Sequence, residues 1–427
     1  MLNSKYDVNH LGKLQNKAFY MVGNISKRTS ILPVLFFALY AILIPFDNVI
    51  WLTKEWGTVT KYLGIMTALA ILADRIVVGR GHLNRPPYGS LLWLLFGILA
   101  IFSLIWSIDQ DATKQGLITL IGLIIVLFIV TLQPWELKHL RMIERSIIVG
   151  GIIVSIIAIY IFFKDIFYPS SERLSLVLGK RLVDPNHLGA SLILPISFAL
   201  SLSLRRGKIL FFNLTAFFLM VITVILTGSR GVLAGLSIVL LYKYWRIKKE
   251  FFTTILFILI VALAIIFIPR ILSPYLKERY SLEIIFSSQA AGRFPLWKAA
   301  LSAFWKKPIL GWGYACFSKL TGGTLYYLKG QVAHNIYLQA LSELGIVGLF
   351  FLIYSLFMTY RTSSKNARKN NFYESVTAAL LGIAVVSISL GTLNYKYFWL
   401  ANMLALSMSK TSCDENETEP FPIFITK

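Results

Sequence analysis

Long apolar runs separated by short polar segments dominate the chain. Twelve of these runs reach or approach the roughly 20 residues that an α-helix needs to cross a bilayer. A β-barrel would instead show short segments of alternating hydrophobicity. The pattern predicts an all-α integral membrane protein of about 12 transmembrane helices, at 31–46, 62–79, 88–106, 115–132, 146–163, 187–204, 208–226, 231–245, 251–268, 336–360, 374–393 and 395–409.

The runs and the segments between them predict five parts of the chain. A basic cytoplasmic N-terminal segment covers 1–30, and transmembrane helices 1–9 cover 31–268. One large extracytoplasmic loop, 269–335, separates helices 9 and 10. Helices 10–12 then cover 336–409, and a cytoplasmic acidic tail covers 410–427. Lys and Arg concentrate in the short segments assigned to the cytoplasm, which supports this orientation. No short apolar stretch with a small-residue cleavage site begins the chain, so the first span is expected to be retained.

Composition agrees with this class. Hydrophobic residues make up 56% of the chain, and the formal net charge is +22. A strongly basic chain can bind nucleic acid, but cytoplasmic loops and anionic headgroups account for such a charge in a membrane protein. We therefore expect membrane lipids as partners and no nucleic acid. The two cysteines, Cys316 and Cys413, are predicted on opposite sides of the membrane and would not pair within one chain.

The loop at 269–335 is the longest departure from the apolar pattern. It contains Gly292-Arg293, the turn-like segment 308–313 and, at its end, His334-Asn335. Glycines in 308–313 are typical of turns. The helix that follows carries Glu343, a costly residue inside a membrane unless it is buried against a partner or lines a polar cavity. This mixture of Arg, His, Asn, Gly and aromatic residues predicts a polar site against a membrane surface.

Four predicted helices begin with polar residues at the same, extracytoplasmic face. A helix N-terminus offers unpaired N–H groups and the positive end of the helix dipole, which favour an anion. Together with Arg181, Arg230, Arg293 and Lys396, these N-termini predict an anion site for which a pyrophosphate is the obvious ligand. The four starts are Asp184-Pro185-Asn186-His187, Gly228-Ser229-Arg230-Gly231, His334-Asn335 and Asn394-Tyr395-Lys396.

Each of these residues also has a structural interpretation. Arg230 could extend to the headgroups from a membrane boundary, as arginines commonly do. Arg293 could be solvated in a polar loop, and His334 could be a surface histidine. Arg181 and Asp184 could pair with each other. No paired Cys/His spacing, phosphate-binding glycine loop or nucleophile elbow occurs in the sequence.

Taken in order, these motifs resemble the O-antigen ligase and O-antigen polymerase family of bacterial membrane glycosyltransferases. The resemblance covers about 180–360 strongly and the rest by topology. No single motif is specific, whereas the ordered set is. The motifs are Asp184-Pro185-Asn186, Gly228-Ser229-Arg230-Gly231, Gly292-Arg293 with Trp297, Pro308 to Gly313, and His334-Asn335 followed by Glu343-Leu344-Gly345-Ile346.

The resemblance implies transfer of a glycan from polyprenyl pyrophosphate to an acceptor hydroxyl, outside the bacterial inner membrane. The family's essential arginines match Arg230 and Arg293, and its loop histidine matches His334. These three are the predicted catalytic residues. No metal and no other cofactor is expected. The predicted partners are the lipid-linked glycan donor, a glycan or lipid-linked acceptor and polysaccharide-assembly proteins. The predicted substrate-binding residues are Arg181, Asp184, Asn186, Asn335 and Lys396.

Three functions stay open at this stage. A polymerase of O-antigen, exopolysaccharide or teichuronic type would extend a glycan, and we favour it slightly because it does not require lipopolysaccharide. An O-antigen ligase would transfer the glycan to lipid A core. A transporter or flippase of lipid-linked sugars would also fit twelve spans, although few charges lie in mid-span. A non-enzymatic assembly partner is a further, weaker alternative.

Overall fold

The computed structural model describes most of the chain. The ranges are 31–53, 57–77, 83–165, 173–203, 210–246, 274–281, 292–324 and 331–407. The predicted span at 251–268, the predicted cytoplasmic segment 1–30 and the whole predicted tail 410–427 lie outside these ranges. Within them the protein is mostly helical, which confirms the predicted class.

The described part of the chain contains fifteen α-helices. Their bounds are α1 Ile31–Leu43, α2 Val59–Leu72, α3 Tyr88–Phe102, α4 Gln110–Leu132, α5 Leu137–Asp165, α6 Pro185–Ser191, α7 Ile193–Ser203, α8 Leu210–Leu226, α9 Arg230–Arg246, α10 Pro274–Arg279, α11 Phe294–Lys306, α12 Phe317–Thr324, α13 Ile336–Ala367, α14 Asn371–Val386 and α15 Lys396–Leu406. Single 3-10 turns extend α1 over Ile44–Phe46 and α3 over Ser103–Ile105, and a π-helical turn extends α2 over Ala73–Val77.

Two antiparallel hairpins, which the hydropathy pattern does not predict, lie between helices. Strands β1 (Trp51–Thr53) and β2 (Gly57–Thr58) form the first hairpin. Strands β3 (Leu176–Leu178) and β4 (Arg181–Val183) form the second. The second hairpin leads directly into α6, so it fixes where that helix begins.

Five helical segments of the described chain are long and apolar enough to cross a membrane: Tyr88–Ile105, Gln110–Leu132, Leu137–Lys164, Pro185–Ser203 and Ile336–Ala367. Shorter apolar helices cover Ile31–Phe46, Leu210–Leu226 and Asn371–Val386. Helices suit this setting because their backbone hydrogen bonds are internal. The number of twelve spans and the placement of the large loop remain predictions.

The helix pair α6–α7 lies at the centre of the bundle. Of its apolar window 83% is buried, against 44% for each of the other four candidate spans. It packs against α5, α8 and α14, and α14 in turn packs against α9, α13 and α15. The first helix of the pair, α6, also packs against α9 and α15, so its start lies inside the bundle.

Candidate active site

The turn between α8 and α9 presents Arg230. Helix α8 ends at Leu226, and Arg230 is the first residue of α9. Gly228 has φ +63°, and a Cβ there would lie 2.8 Å from a Leu276 methyl carbon. Only glycine meets both conditions without strain. The first glycine of the Gly-Ser-Arg-Gly motif is thus required by the geometry of this tight turn.

Two arginines from distant segments bind the carbonyl groups of this turn. The Arg173 Nε donates to the Thr227 oxygen at 2.8 Å, and the Arg279 Nε donates to the Gly228 oxygen at 2.8 Å. Carbonyls at the C-terminus of a helix lack partners within the helix and favour nearby cations. Arg173 and Arg279 therefore satisfy the end of α8 next to the residue that begins α9, Arg230. The sequence analysis missed both arginines.

Tyr280 adds a third bond to the same turn. Its hydroxyl donates to the Ile225 oxygen at 2.8 Å. Burial raises the pKa of Tyr280 to about 12, although the charges of Arg173, Arg279 and Arg230 act in the opposite direction. All three arginines are therefore close enough to Tyr280 to influence its ionisation.

Arg293 joins these residues from the large loop. It is the N-cap residue of α11 and is partly buried. Burial is the largest effect that lowers the pKa of Arg293. The positive charges of Arg279, Arg230 and Arg173 lower it further, and the negative charge of Asp184 raises it. We call Arg173, Arg230, Arg279 and Arg293 the arginine cluster.

Asp184 is the carboxylate that faces the arginine cluster and caps α6. Its Oδ1 accepts hydrogen bonds from the backbone N–H of Asn186 at 2.8 Å and of His187 at 3.4 Å. Pro185 occupies the first helical position, where its missing N–H is not needed. The Asn186 Oδ1 accepts from an Arg173 terminal nitrogen at 2.9 Å. The Asp-Pro-Asn motif therefore starts the helix and also connects it to the cluster.

His334 precedes α13 in a strained backbone conformation. Its φ is +48°, in the left-handed region that disfavours residues with a Cβ. The next residue, Asn335, caps α13: its side chain accepts from the backbone N–H of Tyr337 at 2.9 Å and of Leu338 at 3.0 Å. The predicted cap is thus confirmed, and it fixes where the strained histidine lies.

The surroundings of His334 favour its neutral form. Burial lowers the pKa of this imidazole first, and the charge of Arg293 lowers it further, while Asp184 partly opposes both. A histidine with a lowered pKa is unprotonated at neutral pH and is able to accept a proton.

A stack of aromatic rings brings the start of α15 to the same place. The His187 ring stacks on Tyr395 with a centroid separation of 3.4 Å, and its Nδ1 lies 3.0 Å from the Tyr397 hydroxyl. Because His187 belongs to the first turn of α6, this stack joins the beginnings of α6 and α15. The charges of His334 and Arg293 act on His187, and the charge of Arg230 acts on Arg293, so the starts of α9 and α13 lie near this stack as well.

Two predicted substrate-binding residues have other partners. The Arg181 guanidinium lies over the Trp51 ring at 3.9 Å from its centroid. Among the described residues it forms no ion pair with Asp184. The Lys396 ammonium lies 2.6 Å from an Asp47 carboxylate oxygen and 3.2 Å from the Thr58 hydroxyl. The structure thus places Arg181 and Lys396 beside the β1–β2 hairpin rather than in the arginine cluster.

The segment Pro308–Gly313 packs into a break in α13. Gly345 has φ +66° inside this helix, and a Cβ there would lie 2.2 Å from the Ile309 oxygen. Gly311 and Gly313 also have positive φ, of +65° and +110°. These glycines allow a backbone-to-backbone contact, in which the N–H of Ile346 donates to the Pro308 oxygen at 2.8 Å.

Glu343 is buried against partners in the same region. Its two carboxylate oxygens accept from the backbone N–H of Ala315 at 2.9 Å and of Phe317 at 3.1 Å, and one also accepts from the Gln339 amide at 3.2 Å. This is the first of the two alternatives left open for it. Glu343 therefore attaches the loop after α11 to helix α13. Among the described residues no group of three or more His, Cys, Asp or Glu side chains could hold a metal ion.

Comparison with known families identifies a similarity over part of the chain. Residues 215–353 match the family model described as O-antigen ligase. Over that segment the chain is similar to the O-antigen ligase family. The matched O-antigen ligase segment includes Arg230, Arg293 and His334, whereas Arg173 and Asp184 precede it. No curated protein matches the chain. Proteins of that family act on lipid-linked glycans in polysaccharide biosynthesis.

Proposed function

We propose that the protein is a membrane glycosyltransferase of cell-surface polysaccharide biosynthesis. It transfers a glycan from polyprenyl pyrophosphate to an acceptor hydroxyl at the extracytoplasmic face of the bacterial inner membrane. The observation that carries this proposal is the arginine cluster, which lies with His334 and Asp184 at the meeting point of four helix N-termini. The family match supports it.

The charges of the site fit a pyrophosphate leaving group. Four guanidinium groups face one carboxylate, Asp184, so the described site carries an excess of positive charge. Grouping such charges is unfavourable without an anion, and a pyrophosphate diester supplies two negative charges. Arginine binds phosphate oxygens through a planar fork that stays charged. Donors fixed before the reaction stabilise the charge that develops on the leaving oxygen.

His334 serves as the general base. The acceptor oxygen attacks the anomeric carbon and gives its proton to the imidazole. The bond between that carbon and the pyrophosphate oxygen breaks, and its electron pair stays on the pyrophosphate, which the arginines hold. Attack opposite the leaving group inverts the anomeric centre. A positioned base of this kind typically contributes about a hundred- to ten-thousand-fold in rate.

The remaining predicted residues have supporting roles in this proposal. Asp184, Asn186 and Asn335 start the two helices and orient the cluster and His334. Arg181 and Lys396 stay predicted substrate contacts beside the first hairpin, next to the His187 stack. The proposed transfer requires no metal ion. Transfer that continues in excess chelator would support this part of the proposal.

We favour a polymerase over a ligase because polymerisation needs no lipopolysaccharide acceptor. A transporter of lipid-linked sugars is the alternative from another class. The three functions differ in product: a ladder of glycan lengths, a single glycan on lipid A core, or unchanged glycan on the other side of the membrane.

The test is a reaction of reconstituted protein with lipid-linked glycan, resolved on a gel. His334→Ala should lose transfer but retain folding, and Gln331→Ala, an exposed neighbour in the same connection, serves as the matched control. Arg230→Lys should also lose most activity, since lysine keeps the charge but not the fork. A product ladder from His334→Ala as from the parent would remove the histidine from the mechanism. Translocation without any new glycosidic bond would favour the transporter.

A further inference from the structure

Helix α11 has three distinct faces. Its buried face, Leu296, Ala300 and Ala303, packs in a small core with Phe317 and Ala333. The side chains of Phe294, Leu301 and Trp305 are exposed by 48%, 42% and 75%. At about 100° per residue these three fall within an arc of roughly 40°. Beside this apolar strip lies a polar strip of exposed side chains, Lys298, Ser302 and Lys306.

The turn after α11 continues the apolar strip. Ile309 and Leu310 are exposed by 64% and 42%. A solvated helix would place polar side chains on all of its free surface, and a spanning helix would place apolar ones there. A helix that divides its free surface into apolar and polar strips fits the boundary between lipid and water.

All charged side chains in and around α11 in the sequence are positive. Residues 292–324 contain Arg293, Lys298, Lys306, Lys307 and Lys319 and neither Asp nor Glu. Basic residues next to an apolar strip attract anionic headgroups. Trp305 and the lysines also have the composition that anchors helices at a membrane interface.

We propose that α11 lies in the surface of an anionic bilayer. Phe294, Leu301, Trp305, Ile309 and Leu310 enter the apolar region, while Lys298 and Lys306 contact phosphate headgroups. The occupant of the exposed strip is thus lipid, rather than a second copy of the chain or a soluble protein.

The position of α11 has a direct consequence for the arginine cluster. Arg293 is the N-cap of this helix. Docking of α11 therefore holds Arg293 at the depth of the headgroups, where a lipid-linked pyrophosphate presents its phosphates. This consequence rests on the proposed function, whereas docking itself does not.

The first test measures depth without measuring activity. Single cysteines replace Leu301, Trp305 and, as the matched control on the polar strip, Ser302, in a chain whose Cys316 and Cys413 are serine. Each carries a nitroxide label in nanodiscs of phosphatidylethanolamine and phosphatidylglycerol. We expect labels at 301 and 305 to collide with dissolved oxygen and to be protected several-fold from an aqueous nickel chelate, and the label at 302 to be open to nickel. Equal nickel access at all three positions would overturn the proposal. Protection of 301 and 305 from both oxygen and nickel would also overturn it, because protein would then cover the strip.

A second test connects docking to the reaction. The double variant Leu301→Asn with Trp305→Asn should raise the KM for a long-chain polyprenyl donor several-fold, with kcat nearly unchanged. It should not affect a short-chain, water-soluble donor, and Ser302→Asn should affect neither. An unchanged KM for the long-chain donor would refute the link to Arg293. Inactivity of the parent protein toward both donors would refute the proposed function and leave the depth measurement valid.

Discussion

The backbone of His334 carries strain at the place where the chemistry is proposed. Among the described residues outside glycine, only Ala315 and His334 have positive φ, of 61° and 48°. Such conformations cost of the order of 1–3 kcal/mol and persist where the surroundings impose them. Here the Asn335 cap and the start of α13 impose it. The position of this imidazole therefore lowers the stability of the folded protein.

The strain predicts an unusual order of stability among variants. His334→Gly should be more stable than His334→Ala by about 1 kcal/mol, because glycine adopts this φ without a Cβ clash. Both variants should be inactive. Chemical unfolding in detergent measures the difference. At Gln331, which lacks positive φ, the glycine variant should instead be the less stable one. Equal stability of the two His334 variants would show that the residue is not strained.

The electrostatic setting of His334 predicts the pH dependence of transfer. Its pKa lies below the ordinary 6.5, through burial and Arg293. Protonation removes the base, so kcat/KM should fall as the pH drops through the lowered pKa and should be level at neutral pH. Asp184 raises this pKa. The substitution Asp184→Asn should therefore move the inflection to lower pH while an asparagine still caps α6.

A cap at another helix supplies the control for the pH profile. Asp109 caps α4 by accepting from the Ala112 N–H at 3.0 Å. Asp109→Asn should leave the inflection of kcat/KM where it is in the parent protein. An inflection that moves upward in Asp184→Asn, or one that moves equally in both variants, would contradict the assignment of the titrating group to His334.

At the scale of the elements, the α8–α9 turn depends on cations from outside it. Arg279 bonds the Gly228 oxygen at 2.8 Å, and its charge acts on Arg230, Arg293 and Arg173. Hydrogen bonds to charged groups contribute about 1.5–3 kcal/mol each. Loss of this side chain should thus weaken both the turn and the attraction for an anion.

Arg279→Gln should raise the KM for the lipid-linked donor at least about tenfold, or about 1.4 kcal/mol in binding, because the turn that presents Arg230 is weakened and one cation of the cluster is lost. Lys277→Gln is the matched control: it removes a cation from the same short helix, α10, at an exposed position, and should leave KM unchanged. Steady-state transfer with varied donor concentration measures both. A similar KM change in the two variants would mean that only the general positive charge of the loop matters.

The helix starts show what the sequence was able to predict. The caps at Asp184 and Asn335 follow from local chemistry, since each bonds N–H groups two and three residues ahead. The bond from Arg173 to Thr227 joins residues 54 apart in sequence. No motif marks Arg173, because an isolated arginine before a hairpin is ordinary in any sequence. The same holds for Arg279 in its polar loop.

At the scale of the whole molecule, α9 connects two regions with different tasks. Arg230 begins the helix in the arginine cluster, and Lys243 lies 13 residues later, about 20 Å along the axis. The Lys243 ammonium is buried and bonds the Ser201 hydroxyl, the Ser375 hydroxyl at 3.1 Å and a Glu374 carboxylate oxygen at 3.2 Å. It thereby joins α7, α9 and α14 at the end remote from the proposed chemistry.

This separation predicts that stability and activity respond independently to substitution. Glu374→Gln leaves the buried Lys243 charge without its counter-ion, which should destabilise the fold by about 3–5 kcal/mol. Lys243→Met combined with Glu374→Leu should recover most of this loss, since an apolar pair replaces a buried ion pair at little cost. Asp111→Asn at the exposed Lys114–Asp111 pair should cost less than about 1 kcal/mol. Unfolding in detergent measures the stabilities, and transfer per mole of folded protein should stay near the parent value throughout. A folded Glu374→Gln protein with a strongly reduced transfer rate would show instead that the buried network reaches the arginine cluster through α9.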